Sequence, residues 1–521
     1  MLRRSCFFFG LAAKQFDVCV IGGGPAGVAA ALRAEQYGRK VCLIEKNEIG
    51  GADLFDGALQ SKTMWEMAKF YDRIHEFGSC MYEDKTLDGL EVNEELMRKG
   101  MADAAATRQG QITEALNQSG IEIIRGSGEF QSPHLIHVHK KGQEGAAQPV
   151  NADYFIIATG SVPRVHPQYA ANGTTIQTSD HFMRSPLPKS MVIIGAGVIG
   201  CEFASIAANL GKTKVSIIEK SNRMLPMEDE DIGSHIESLL AKKGVCFHHN
   251  AALHHLESID EGTPNERVKY TVKGTKSGEL ESFEVERALI SIGRVPQYSG
   301  LGIEKAGCSV KDGRLVADHF GRCEPNKHIY AVGDATVDIA LVNQGENEAI
   351  AAIEHIYRPR REIPPSTDNL SKIMFLDQEV AAVGLSETDC KKQNIAYMAA
   401  RYGYDFVTRA VCMGAADGFV KIIVTNDRQK TVLGVRAVGA HASSIVELAS
   451  LAIHNQQSVY DMGELLPAYP AMTQGFQECL RVLVNRSIMK PGVFPQVRLW
   501  RWEPGNFQRG RAYAVQPGSR R

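Results

Sequence analysis

The chain has 521 residues, 44% hydrophobic and 23% charged, which is material for about three ordinary globular domains. Its formal net charge of −2 gives no whole-chain case for nucleic acid or anionic membrane binding, and no apolar run approaches the length of a membrane span. Its 11 cysteines, an odd count without CxxC or CxxxxC spacing, exclude a disulfide scaffold, and no metal-ligand spacing stands out, so no metal is expected.

Residues 1–15 carry Arg3, Arg4 and Lys14 with no acid before Asp17, which reads as a short mitochondrial presequence. The rival is a secretory signal with Cys6 to Ala13 as its apolar region, but a folded part starting at Phe16 leaves little room for a cleavage site. Phe16 to Ile21 is then a buried strand, followed by Gly22, Gly24 and Gly27 in GxGxxG spacing and a helix to Tyr37. Val41 to Ile44 is a second strand that ends in Glu45. Such glycines allow a tight turn and close backbone approach to a pyrophosphate on the helix N-terminus, and the acid can accept hydrogen bonds from a ribose.

Next come two helical stretches. Met64 to Phe77 carries Trp65 and Tyr71, read as packing residues, and Asn93 to Ser119 has Asn93 as N-cap and Gly120 as stop. Tyr154 to Arg164 is a buried strand running into the small-residue turn Thr159, Gly160, Ser161. The first pattern then repeats: strand Met191 to Ile194, glycines Gly195, Gly197 and Gly200, a helix to Leu210, strand Lys214 to Ile218, and Glu219. Two complete fingerprints imply two dinucleotides on one chain. A carboxylate at the ribose edge repels a 2′-phosphate, so Glu219 favours NAD(H) over NADP(H), while nearby Lys220 and Arg223 keep NADP(H) open. Ala288 to Pro296, containing Gly293, matches the turn at Thr159, and Ile329 to Asp334 is a strand ending in an acid. The tail 486–521 is basic, with Glu503 its one acid, and carries Trp500, Trp502, Phe507 and Tyr513. Basic–aromatic interleaving can engage RNA or an acidic protein partner, and a disordered or surface-packed extension is the plainer reading.

In this order the motifs resemble the pyridine nucleotide–disulfide oxidoreductase family, of the dihydrolipoyl dehydrogenase type, from Phe16 to Val484. The resemblance implies an α/β fold with two Rossmann-like dinucleotide-binding domains, for FAD and NAD, plus an α+β C-terminal dimerisation domain. It divides the chain into a presequence (1–15), a discontinuous FAD domain (16–163 and 285–360), an NAD domain (164–284), a dimerisation domain (361–485) and a basic tail (486–521). The dimerisation domain is marked by Val380 to Glu387, Gly418 to Val424 and Gly434 to Ala449. A homodimer is therefore expected. Carried over by position, FAD contacts Gly22, Gly24, Gly27, Glu45, Gly51, Lys62, Gly128, Thr159, Gly160, Ser161, Asp334, Ala340, Leu341, Val342 and Asn343. NAD(H) contacts Gly195, Gly197, Gly200, Glu202, Glu219 and Gly293. Lys62 and Glu202 are the catalytic pair beside flavin and nicotinamide.

The departures are as informative as the matches. Where the family reads GGTCLNVGCIPSK, this chain reads GGADLFDGALQSK from Gly50 to Lys62, so Asp53 and Ala58 hold the two cysteine positions. A carboxylate and a methyl group cannot exchange disulfides. Where the family's HPTxSE segment supplies a histidine–glutamate dyad, this chain has Tyr469 and Gln474, and a phenol with a pKa of about 10 is a poor proton shuttle at neutral pH. Gly195 to Ser205 and Tyr469 to Met472 also resemble the soluble pyridine nucleotide transhydrogenases. The expected activity is hydride transfer from NADH to FAD and on to a non-disulfide acceptor, a second nicotinamide nucleotide or a quinone-like molecule. A pseudoenzyme acting as a structural or assembly subunit, and a dihydrolipoyl dehydrogenase by overall similarity only, are the alternatives.

Overall fold

The computed structural model describes residues 13–505, apart from 79, 84–88, 143–146, 337–338, 359–363, 365–366 and 368, together with 513–514. Residues 1–12 of the expected presequence, and the tail from 506 on save for 513–514, lie outside the described residues.

Three sheets organise the chain. The first is centred on the strand Lys14–Ile21, in the order Glu122–Arg125, Val41–Glu45, Lys14–Ile21, Ala147–Ile157, Leu135–His139, Ser127–Ser132, with Ile329–Ala331 paired to Ala147–Ile157. Its central pairs are parallel, and the run from Val18 to Ile21 is buried on both faces, which is why it reads as continuous apolar sequence rather than alternation. The strand begins at Lys14, two residues before the boundary expected at Phe16, because Lys14 and Gln15 continue the ladder to Val150 and Asn151. The return of Ile329–Ala331 to this sheet closes one layer from two distant sequence pieces.

The second sheet is wholly parallel: Cys246–His248, Lys214–Ile218, Ser190–Ile194, Arg287–Ile290, Ile176–Thr178. A three-stranded antiparallel sheet, Ala251–Ile259, Arg267–Gly274 and Leu280–Val285, accompanies it. The third large sheet is antiparallel, in the order Lys372–Phe375, Glu379–Gly384, Val432–Val438, Phe419–Thr425, Tyr397–Gly403, Arg498–Trp502, Tyr513–Ala514. Helices Ala442–His454 and Thr473–Leu483 pack on it. The α/β class with a C-terminal α+β unit is what the sequence led us to expect.

Part of the basic tail is structured. Arg498–Trp502 adds a strand beside Tyr397–Gly403, Trp502 stacks on Tyr397 at 5.8 Å between ring centroids, and the Trp500 indole N–H donates to Glu387 at 2.9 Å. These two aromatics are engaged by the chain's own sheet, in line with a surface-packed extension rather than an outside partner. No helix among the described residues is long and apolar enough to cross a membrane.

Candidate active site

Two glycine turns repeat each other in atomic detail. Gly22 and Gly195 have φ of +108° and +104°, a region that glycine tolerates and other residues do not. A Cβ on Gly27 would lie 1.9 Å from the Gly22 carbonyl oxygen, and one on Gly200 would lie 2.3 Å from that of Gly195. The middle glycines, Gly24 and Gly197, cap helices Pro25–Gln36 and Val198–Asn209, and a Cβ on either would meet nothing within 4 Å. Each helix thus presents its unpaired N-terminal amides toward open space, which suits a pyrophosphate. The acids repeat as well. Glu45 accepts the Gly23 and Asn47 amides, both at 2.6 Å, and Glu219 accepts those of Ala196 and Ser221 at 2.9 and 2.8 Å. These bonds hold each carboxylate at the mouth of its own loop.

The other expected FAD residues converge on the first loop. Gly51, at φ +58°, lies against Gly24, since a Cβ there would come within 3.1 Å of the Gly24 Cα. Gly128 is buried among Ile21, Ile44 and Ile136. Asp334 follows the strand Ile329–Ala331 and accepts the Ser161 hydroxyl at 2.6 Å. Ala340 and Leu341 lead into the helix Val342–Tyr357, whose first turn includes Asn343. Added Cβ atoms on Gly333 and Gly345 would crowd Ala26 at 3.0 and 3.4 Å, so this helix start packs tightly against the first dinucleotide helix. The Thr159 hydroxyl is buried without a hydrogen-bond partner, and Gly160 and Gly293 border open space. An orphan hydroxyl and open glycine surfaces on both loops fit two dinucleotides laid across them. Gly22, Gly24, Gly27, Thr159, Ser161 and Asp334 would hold FAD, and Gly195, Gly197, Gly200, Glu219 and Gly293 would hold NAD(H).

Lys62 and Glu202 meet between the two loops. The Lys62 ammonium lies 2.8 Å from one Glu202 oxygen, and the other accepts the Phe375 amide at 3.0 Å. Lys62 also stands over the Phe375 ring at 5.1 Å. Its helix, Ala58–Gly78, starts six residues earlier than the hydrophobic period showed and is anchored by the Trp65 indole, which donates to the Leu376 carbonyl at 2.6 Å. Tyr71 serves packing too, with its hydroxyl 3.3 Å from the Leu90 carbonyl.

Asp53 sits on the short helix Gly51–Phe55, and Ala58 opens the next one. Burial raises the Asp53 carboxyl above the usual range against the pull of Arg108 and Lys62. No cysteine occurs in sequence between Cys42 and Cys80. Cys201, next to Glu202 in sequence, is fully buried, and burial pushes its thiol up. Tyr469 is 72% exposed, and the side-chain carbonyl oxygen of Gln474 is buried without a partner.

Several contributors escaped the sequence reading. Arg294 donates to the Ser161 hydroxyl at 2.9 Å and to its carbonyl at 2.8 Å, fixing the group that faces Asp334. Phe375 backs the lysine–glutamate pair. Lys243 joins Asp72, Asp377 and Asn209 at 2.7–2.8 Å, tying the helix that carries Lys62 to the other two sheets. The only signal for them was a charge or an aromatic in an ordinary setting, since each acts across more than a hundred residues.

Comparison with known proteins agrees with this geometry. Residues 16–355 match the pyridine nucleotide-disulphide oxidoreductase family, and residues 370–480 match its dimerisation domain. The chain is 29% identical to the dihydrolipoyl dehydrogenase of Bacillus subtilis over 485 residues, covering 91% of this chain and 99% of that protein. It is 30% identical over 470 residues to the mitochondrial dihydrolipoyl dehydrogenase of Schizosaccharomyces pombe, covering 89% of each. Among solved structures it is similar to LpdA from Mycobacterium tuberculosis, with a TM-score of 0.80, 26% identity and coverage of 90% and 100%. The chain belongs to the pyridine nucleotide-disulphide oxidoreductase family and is dihydrolipoyl dehydrogenase-like, with the family's FAD and NAD(H) as cofactors.

Proposed function

We propose that this family member takes hydride from NADH onto FAD and passes the electrons to an acceptor other than a disulfide. The acceptor is a second nicotinamide nucleotide or a flat quinone-like molecule. The observation that carries the reading is the Lys62–Glu202 pair, held at 2.8 Å in a chain with no cysteine between Cys42 and Cys80. Bound FAD would supply the two-electron chemistry. The Lys62 ammonium favours negative charge on a ring beside it, and Glu202 fixes that ammonium in place. Glu219 accepts ribose hydroxyls and disfavours a 2′-phosphate, with Arg223 leaving room for NADP(H).

Thiol–disulfide exchange needs two sulfurs, and Asp53 and Ala58 stand where the resemblance puts them. The Ala58 methyl leaves space for a flat acceptor, and the run Tyr469 to Met472 resembles the soluble pyridine nucleotide transhydrogenases. The dimerisation domain supports a homodimer, and relatives named as mitochondrial support a mitochondrial location.

Anaerobic titration with NADH, followed by flavin absorbance, tests the first half of the reaction. Bleaching at one equivalent without a long-wavelength thiolate band is expected, with turnover when thio-NAD or a quinone is added. A flavin that stays oxidised, or turnover on dihydrolipoamide that exceeds turnover on both of those acceptors, would overturn the reading.

A further inference from the structure

Outside the Lys62–Glu202 site, two cysteines meet. Cys308 and Cys323 belong to the core formed with Leu301, Ile303, Leu315 and Ile329. The Ser309 amide donates to the Glu324 carbonyl at 3.1 Å, so the residues that follow the two cysteines are joined directly and bring both into the same stretch of core. Their thiols are close enough to shift each other's ionisation. The Asn326 side-chain amide donates to the Cys308 sulfur at 3.5 Å, and is itself oriented by the Ala306 carbonyl at 3.0 Å. The Cys323 thiol donates to the Gly321 carbonyl at 3.8 Å. Cys308 keeps 9% of its surface exposed, between the exposed residues Gly307 and Ser309, whereas Cys323 has none.

We propose that Cys308 and Cys323 form a reversible dithiol–disulfide site, with Cys308 as the attacking sulfur, Cys323 as the resolving sulfur and a hydroperoxide as oxidant. The roles follow from the contacts. The sulfur that receives the Asn326 donor and touches solvent is the one whose thiolate is stabilised and reachable. The Cys323 thiol, and less so the Asn326 amide, hold Cys308 below the usual thiol range against burial. The neighbouring Cys308, followed by burial, raises Cys323.

In the first step the Cys308 thiolate attacks one peroxide oxygen. An S–O bond forms, the O–O bond breaks, and the departing hydroxide takes a proton to become water. In the second, the Cys323 sulfur attacks the Cys308 sulfenic acid. The S–S bond forms, the S–O bond breaks, and the leaving hydroxide takes the Cys323 proton. Two thiols lose two electrons and two protons, and one hydrogen peroxide becomes two waters. The link would close the loop behind the strand Ile329–Ala331, which Cys323 and Gly321 already bond through Ile329 and Ala331 at 2.8 and 2.7 Å. That strand leads to Asp334.

Reduced holoprotein would be exposed to hydrogen peroxide, quenched with iodoacetamide and mapped by peptide mass spectrometry. A Cys308–Cys323 cross-linked peptide, reversed by dithiothreitol, is expected to form before the exposed Cys80, Cys246 and Cys412 are modified. In the Cys323→Ser variant, Cys308 is expected to accumulate a dimedone adduct in place of the cross-link. The proposal is overturned if the three exposed thiols oxidise while Cys308 and Cys323 remain alkylatable, or if either cysteine pairs with a different partner. Wild-type mapping decides this alone should the variant fail to fold.

Discussion

Glu202 divides its two oxygens between Lys62 and the backbone of Phe375, at 2.8 and 3.0 Å. One carboxylate therefore joins a helix beside the first glycine loop, a helix opening the second, and the edge strand Lys372–Phe375 of the third sheet. The Glu202 side chain is 9% exposed and that of Lys62 is 29%. The ammonium is thus held near a low-dielectric wall yet remains open toward the cleft, which is where a fixed charge acts most strongly on a neighbouring ring.

Replacing Lys62 by Met removes that charge and keeps most of the stem. Reduction of bound FAD by saturating NADH is expected to slow by about 100-fold, the scale on which a preorganised electrostatic partner acts. Glu202→Gln keeps the shape and loses the anchor, so a smaller loss, about tenfold, is expected. Anaerobic stopped-flow at the flavin band measures both. Equal rates in wild type and Lys62→Met would remove Lys62 from the chemistry.

Asp53 gives a pH signature. Burial raises its carboxyl above the usual range despite Arg108 and Lys62. A raised folded-state pKa means that the folded protein binds the proton more tightly than the unfolded chain. This contribution to stability is fully present below the unfolded aspartate value of about 3.9 and is lost as pH rises through the folded value. Asp53→Asn, which stays neutral, should therefore melt higher than wild type at neutral pH and lose that advantage toward pH 4. Paired thermal scans across that range would show it, and a pH-independent difference would contradict it.

Much of the cofactor geometry was legible in sequence because glycine turns are local. The positive φ at Gly22 and Gly195, and the contacts that forbid a Cβ at Gly27 and Gly200, are set within a few residues. The start of the lysine-bearing helix was not legible, because its first turn, Ala58 to Ser61, has Leu59 as its one large apolar residue and so carries no apolar period. Arg294, Phe375 and Lys243 were invisible for another reason: their roles exist only once distant segments meet. The strand Arg498–Trp502 was hidden by its composition. Basic residues and tryptophans left a disordered or surface-packed extension as the plainer reading, without showing which sheet edge would receive it.

Lys421 is fully buried and bonds three carboxylates: Asp229 at 2.8 Å, Asp231 at 2.6 Å and Glu387 at 3.0 Å. These carboxylates have the spacing of a metal site, with the ammonium bonded to all three. Burial pulls the ammonium's pKa down, and the carboxylates outweigh it and hold it above the usual lysine range. Lys421→Met would leave three acids unpaired and is expected to cost about 3–5 kcal/mol in chemical denaturation. Asp229 has a depressed carboxyl, because Lys421 overcomes its burial. Its contribution is present above about pH 4 and lost as pH falls through the folded value, so the variant should also show a shallower acid limb. A loss under 1 kcal/mol would mean that the cluster is solvated in practice.

The last prediction concerns the strand that the tail contributes. Glu387 accepts the Tyr397 hydroxyl at 2.7 Å and the Trp500 indole at 2.9 Å on one oxygen, and Lys421 on the other. Trp500→Phe keeps an aromatic ring against this sheet and deletes only the N–H donor to a charged acceptor, so a loss of about 1.5 kcal/mol is expected. Truncation after Val497 also removes Trp502 from Tyr397 and leaves Tyr397–Gly403 as an open edge. That should cost about 3 kcal/mol or more and promote association through the bare strand. Urea denaturation measures the first effect, and light scattering alongside it the second. FAD content should be unchanged in Trp500→Phe, because the hydrogen bond it removes goes to Glu387 and not to either glycine loop. If both variants match wild type, the strand is an ornament of the fold and Glu387 is held by Tyr397 and Lys421 alone.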